Sequence, residues 1–308
     1  MRGNAMQRTI VLAAFTLLAA GPLAGQDVVG RADKTFTLSE AVAAGGWVRV
    51  ATFNGRIEIT SGSTGQVEIR AVKDVHRGDI EDIGFVVRRE KGGLTICAVY
   101  DDGDGCDEDG GYHSAHRGRD WSRNHQGQVD FTVQIPAGMR VKAGSGNGDV
   151  RIAGAGAEVI ASTGNGRVNI VGSSGEVHAS TGNGDVTVQD ASGPVEVSTG
   201  SGAVRVVTST GPVSANSGNG DIDVSIGKLD RLPDMSFTTG NGEVRLTLPS
   251  GVGAELDAST GNGNVTADFP VTLRSGRLDP TRLRGTLGSG GGRLTISSGN
   301  GDIEIRHP

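Results

Sequence analysis

The chain has 308 residues, 52 of them glycine, with only 4% aromatics and a formal net charge of −6. So few rings exclude a large conventional globular core, and glycines that are periodic, but not at every third position, exclude both a disordered chain and collagen. The acidic balance argues against a general nucleic-acid binder, which needs clustered Lys and Arg to neutralise phosphate.

Residues 1–25 read as a secretory signal peptide. Arg2 and Arg8 supply the positive start, and the apolar run Ile10 to Ala20 is too short to span a bilayer. No cysteine follows it, as a lipid anchor would need, and no later stretch is long enough for a membrane span. The expectation is an exported protein, periplasmic, on the cell surface or secreted.

Residues 26–140 read as an N-terminal β-rich cap region. Strands are expected at 47–52, 56–60, 66–71, 85–89, 94–99 and 129–135, each alternating or β-branched. Most aromatics of the mature chain fall here, so this part has the thicker core. Residues 100–128 are polar and aperiodic and read as a surface loop. Cys97 and Cys106, nine apart in an exported chain, are expected to form a disulfide that pins it; a metal pair or two free thiols are the alternatives. The loop carries Asp101, Asp102, Asp104, Asp107, Glu108 and Asp109, then His113, His116 and His125. Without a DxDxDG spacing it reads as solvated, with weak metal binding as the rival, and no metal is assigned.

Residues 141–308 carry the main signal. GSGNGDVRI (144–152), STGNGRVNI (162–170), STGNGDVTV (180–188), STGSGAVRV (198–206) and NSGNGDIDV (216–224) recur every eighteen residues without drift. A fixed short period marks a repeat architecture. Each copy divides into two halves, each a short strand and a glycine turn. Val150/Ile152, Val168/Ile170, Val186/Val188, Val204/Val206 and Ile222/Val224 alternate onto one face, opposite Val159/Ala161, Val177/Ala179, Val195/Val197 and Val213/Ala215. The predicted fold is therefore all-β, a β-solenoid (β-helix-like) of 18-residue coils with two short strands each. An antiparallel meander would use the same Asn-Gly turns, but one meander sheet buries one face and needs a second layer, whereas a coil encloses its own interior.

Stacking would place Asn147, Asn165, Asn183, Ser201 and Asn219 in one row, where the amides form a hydrogen-bonded ladder. GNGD at 146–149, 182–185 and 218–221 resembles calcium-binding β-roll turns, but the acid becomes Arg167 and Ala203 in other copies, so stacking accounts for the turns without calcium. Further GNG motifs at 240–242, 261–263 and 299–301 are separated by expected loops at 228–236 and 270–292, and the last motif, SSGNGDIEI (297–305), closes the chain in the same idiom. Arg274, Arg277, Arg282 and Arg284, with Arg293 beside them, form a candidate ligand-contact loop for acidic glycans or lipid headgroups; the rival is a solvated basic loop.

The repeated [ST]-G-N-G-x-[VI]-x-[VI], the Ile135-Pro136-Ala137-Gly138 segment before it and the block from Asp268 to Ile303 resemble the adhesin-like β-strand-repeat family of bacterial envelope proteins. That family is classed as a domain of unknown function, and the resemblance spans about residues 35–306. It implies a β-helix-like rod, export and no known catalytic residues. The outward repeat residues assemble no acid/base pair, and no GxSxG, HExxH or P-loop occurs, so no catalytic residues and no cofactor are assigned. The function expected is a non-enzymatic surface or envelope module that binds glycans or another envelope protein. A structural, self-associating scaffold is the alternative, and a carbohydrate-active enzyme a third.

Overall fold

The computed structural model describes residues 28–63, 65–90, 92–100, 104–107, 110–113, 126–229, 232–273 and 279–308. The expected signal, Arg274 and Arg277, and most of the 100–128 loop with His116 and His125 lie outside them. Two large sheets stack face to face, of 14 and 12 strands among the described residues. Each eighteen-residue repeat gives one strand to each sheet, which makes the fold a β-solenoid. Val159–Asn165 lies in the first sheet and Val168–Val171 in the second; the next coil repeats this with Val177–Asn183 and Val186–Ala191. Pairing is parallel and in register, Val141 to Val159 to Val177 to Val195 on one side and Val150 to Val168 to Val186 on the other. The inward Val, Ile and Ala rows form one continuous buried core between the sheets. Outward residues stay polar, which is the period-two rule acting on a two-layer coil.

The chain order is not the spatial order. Arg293–Asn300 inserts between Met235–Asn241 and Ala254–Asn262, and Ile303–Arg306 inserts between Val244–Thr247 and Val265–Ala267. The motif at 297–305, last in the chain, is therefore not last in the stack; it forms the penultimate coil. The outermost coil is the earlier 254–267. The other end is built the same way. Trp47–Asn54 and Ile57–Ser61 sit between a coil made of Gly93–Val99 and Gln126–Ile135 and the coil made of Arg140–Asn147 and Val150–Ala153. Coil geometry thus begins at Trp47, well before the Arg140 start that the eighteen-residue period marks.

Antiparallel strands cover the ends. Val67–Arg77 and Thr35–Glu40 extend the second sheet, Gly84–Glu90 and Val28–Val29 the first. At the far end Arg282–Leu287 pairs antiparallel with Ala254–Asn262, and Val271–Leu273 pairs with it in turn. The expected loop at 270–292 therefore contains two strands, because an end coil without partners would leave a bare ladder and an open core. The polar loop also departs from expectation. Gly105–Cys106 pairs with Tyr112–His113, and Cys106 buries with Val86, Cys97, Val99 and Ala51 against the outside of the first sheet. Cys97 and Cys106 have Cα atoms 6.3 Å apart, within disulfide reach.

Two features of the core set its tolerances. Gly184 has φ of +145°, and a Cβ there would collide with the Gly166 carbonyl of the coil below. Lys73 is the one fully buried cation among the described residues; its ammonium donates to the carbonyls of Gly30 at 2.6 Å, Arg31 at 2.8 Å and Ile80 at 3.3 Å, and lies 5.6 Å from the Phe85 ring centre. Burial brings it down from 10.5 to about 8, with the Arg31 charge adding to the fall and Asp33 and Glu81 opposing it.

Gly184→Ala should cost about 3 kcal/mol in urea unfolding, from strain plus overlap, against less than about 0.5 kcal/mol for the outward Thr187→Ala. Equal effects would mean that the coils do not approach this closely. For Lys73, the unfolded chain binds more protons than the folded chain between about 8 and 10.5, so this group makes stability rise with pH across that window. The urea midpoint of the native chain should accordingly gain on that of Lys73→Met as pH rises through it; a constant difference would show that the ammonium is not desolvated.

Candidate binding surfaces

The turn side of the rod uses its polar groups internally. Asn147 Nδ2 donates to Asn54 Oδ1 at 2.8 Å, Asn165 to Asn147 at 2.8 Å and Asn183 to Asn165 at 2.9 Å. Ser201 interrupts the row. It resumes with Asn241 to Asn219 at 2.7 Å, Asn300 to Asn241 at 2.6 Å and Asn262 to Asn300 at 2.7 Å. Asn54 belongs to a copy that the eighteen-residue search passes over, Thr52-Phe53-Asn54-Gly55-Arg56-Ile57, in which Phe53 stands where the first glycine should.

The Ser/Thr of the motif also has a fixed role that its spacing does not disclose. Thr163, Thr181, Thr199 and Ser217 point inward and donate to the carbonyls of Gly148, Gly166, Gly184 and Gly202 in the adjacent coil, at 2.8–3.0 Å. Thr52 meets the Tyr100 hydroxyl at 2.9 Å instead, and that phenol, pushed up to about 12 chiefly by burial, donates to Asn54 O.

In spatial order the acidic turn position carries Asp in every second coil: Asp130, Arg56, Asp149, Arg167, Asp185, Ala203, Asp221, Glu243, Asp302, Asn264. Each Asp accepts the backbone N–H of the next coil at that position, Asp149 from Arg167 at 3.0 Å and Asp185 from Ala203, Asp221 from Glu243, Asp302 from Asn264 and Asp130 from Arg56 at 2.8 Å. One Asp thus serves two coils; cationic or neutral residues separate the acids as far as Asp221, after which Glu243 and Asp302 continue an acidic run of three rungs. Partial burial raises the Asp149 carboxyl, but hydrogen bonds from Arg167 and the charges of Arg167 and Arg151 outweigh this and hold it below the usual carboxylate range. Among the described residues no group of three or more His, Cys, Asp or Glu could hold a metal ion.

Of the candidate ligand-contact loop, Arg282 and Arg284 lie on Arg282–Leu287, at the far end of the first sheet. Arg284 Nε donates to Asp257 Oδ1 at 2.9 Å, while Arg282 is exposed with its amide on Asp279 O at 3.1 Å. Arg284 faces Arg293 across a cleft of about 550 Å³ with Asp234, Glu255 and Asp257. The reordered coil creates this cleft, because Arg293 lands beside Glu255 only once 293–300 pairs with 254–262. Asp234 Oδ1 takes the Arg293 amide at 2.7 Å, and Glu255 Oε1 takes the Thr286 hydroxyl at 3.0 Å. The cleft thus offers fixed charges of both signs. A hydrolase acid needs a carboxyl kept protonated by apolar surroundings, whereas Asp257 is half-buried and paired with a guanidinium. The arrangement suits recognition of a polar ligand.

Residues 117–306 match the model of the family described as Toastrack DUF4097. Among solved structures, a candidate adhesin from Bacteroides fragilis is 14% identical, with 88% of this chain and 97% of that chain covered and a TM-score of 0.48. A candidate cell adhesion protein from Clostridium sporogenes is 12% identical over 89% and 100%, with a TM-score of 0.26. No protein of curated function matches.

Replacing Ser201 with Asn should join the two halves of the amide row and raise stability by about 0.5–1 kcal/mol in urea unfolding. An unchanged or lowered midpoint would mean that the row adds nothing beyond the backbone ladders.

Proposed function

The chain belongs to the Toastrack family, DUF4097, and on that premise we propose that it is an exported, non-enzymatic envelope module that binds a polar ligand, a glycan or another envelope protein. The observation that carries this reading is the cleft of Asp234, Glu255, Asp257, Arg284 and Arg293, the place where charged side chains converge on an open surface rather than on the next coil. The adhesin descriptions belong to the two solved structures; they agree with the reading and do not extend it. In this view residues 1–25 are a cleaved signal, the antiparallel strands within 28–90 cap the coils that begin at Trp47, and Cys97 and Cys106 are joined after export. No helix among the described residues is long and apolar enough to cross a membrane.

One observation favours a second reading, a self-associating scaffold: the outermost strand Val271–Leu273 carries the exposed Leu273. Labelled chain applied to a glycan array and to intact bacterial cells separates the two. Saturable binding that falls at least tenfold in Arg284→Gln supports the recognition module. Absence of binding, together with concentration-dependent assembly by sedimentation, would replace it with the scaffold.

A further inference from the structure

The opposite end of the first sheet carries a second charged surface. Outward residues of four adjacent strands line up across Gly84–Glu90, Gly93–Val99, Trp47–Asn54 and Arg140–Asn147. The registers give Arg88 beside Thr95, Thr95 beside Arg49 and Arg49 beside Lys142. Trp47 and Arg140, also paired in register, flank this column at the strand starts, away from the asparagine row.

Three properties separate the cluster from an ordinary solvated face. First, like charges stand next to each other: Arg49 directly abuts Lys142, an arrangement that sheets avoid. Several cations elsewhere on this rod answer to carboxylates, as Arg167 to Asp149, Arg205 to Asp223, Arg245 to Glu304 and Arg284 to Asp257. Among the described residues Arg49, Arg88, Arg140 and Lys142 form no ion pair, although Glu90 lies two residues beyond Arg88 and Glu158 occupies the rung beside Arg140.

Second, the guanidiniums are held. Arg49 and Arg140 lie over the Trp47 ring at 5.2 and 5.1 Å, and Arg140 Nε is tied to Gly45 O at 2.8 Å, which leaves its terminal nitrogens free. Gly110 of the folded-back loop packs on the Arg49 stem, where an added Cβ would lie 2.9 Å from Arg49 Cβ. Held donors lose little entropy when they bind a ligand. Third, the Thr95 hydroxyl is buried between Arg88 and Arg49 without a hydrogen-bond partner among the described residues. Its charged neighbours are donors only, so the group that is missing is an acceptor.

We propose that this face is a binding site for an anionic polysaccharide, whose carboxylate or sulfate oxygens meet Arg88, Arg49, Lys142 and Arg140 while a sugar ring packs beside Trp47. Three strand spacings make the basic column about 14 Å long, the span of a short run of sugars. Beyond it the same face turns acidic, at Glu158, Glu176 and Glu196, so a longer uniformly charged polymer such as duplex DNA is repelled where a flexible glycan can leave the surface. The site lies at the other end of the rod from the Arg284 cleft and does not depend on it.

The test is titration of the purified chain with alginate oligomers, dextran sulfate, neutral dextran and duplex DNA at several salt concentrations. Binding is expected to one or both acidic glycans, the two arms identifying carboxylate or sulfate as the oxyanion, and not to neutral dextran. Lys142→Glu and Arg49→Gln/Lys142→Gln should each weaken it at least tenfold and flatten its salt dependence, with Lys142→Arg retaining it and Arg284→Gln leaving it unchanged. Among the described residues Lys142 forms no side-chain hydrogen bond or ion pair and stands outside the buried core, so Lys142→Glu remains readable if the Arg49 variant unfolds. No binding to either acidic glycan, equal binding to DNA, or binding that Lys142→Glu leaves intact would overturn the proposal.

Discussion

The close approach of successive coils at their glycine turns governs this structure. Parallel pairing brings the carbonyl of one Gly-x-Gly turn against the α-carbon of the next. The Gly164 oxygen, for example, would lie 2.6 Å from a Cβ at position 182. Side chains are excluded there, and every remaining polar group of the turn must be satisfied by the coil above or below. Thr and Ser hydroxyls answer glycine carbonyls, asparagine amides answer each other, and one Asp in every second coil answers the backbone N–H that follows the turn. The motif [ST]-G-N-G-D is therefore a description of how one rung binds the next.

This explains why so little of the polar repeat is left for a ligand. The groups that resemble a calcium turn in the sequence are the groups that hold the stack together. Charged side chains gather on open surface instead where the repeat is interrupted, at the reordered coil with its Arg284 cleft and at the aromatic and basic corner around Trp47. The sequence breaks its own rhythm at both places.

Much of the rod was legible from residues alone. The period, the inward Val and Ile rows, the asparagine row and most N-terminal strands follow from alternation and spacing, which are local properties. What was not legible is which coil sits on which. The SSGNGDIEI copy at 297–305 carries the same inward residues as its neighbours, so its pattern suits any rung, and only the lengths and pairings of 254–292 place it inside. The coil at Trp47 escaped for a different reason. Phe53 replaces a glycine there because the strand beneath, Gly93–Val99, ends and lets the chain turn away, leaving room for Phe53 beside Tyr100 and Tyr112, at ring distances of 6.3 and 5.8 Å. Arg293 likewise acquires its neighbours Asp234 and Glu255 from two separate parts of the chain, a meeting that no spacing along the sequence encodes.

The interleaved end also changes how the rod answers a pull. In a simple stack the last coil peels from one neighbour, one hydrogen bond after another. Here residues 293–306 lie between two coils, paired on both sides in both sheets. A tether attached beyond Arg306 would load four ladders together, in shear rather than as a zipper. The barrier to forced unfolding, which is set by the unfolding rate and not by equilibrium stability, is thereby raised at the end where a plain solenoid is weakest.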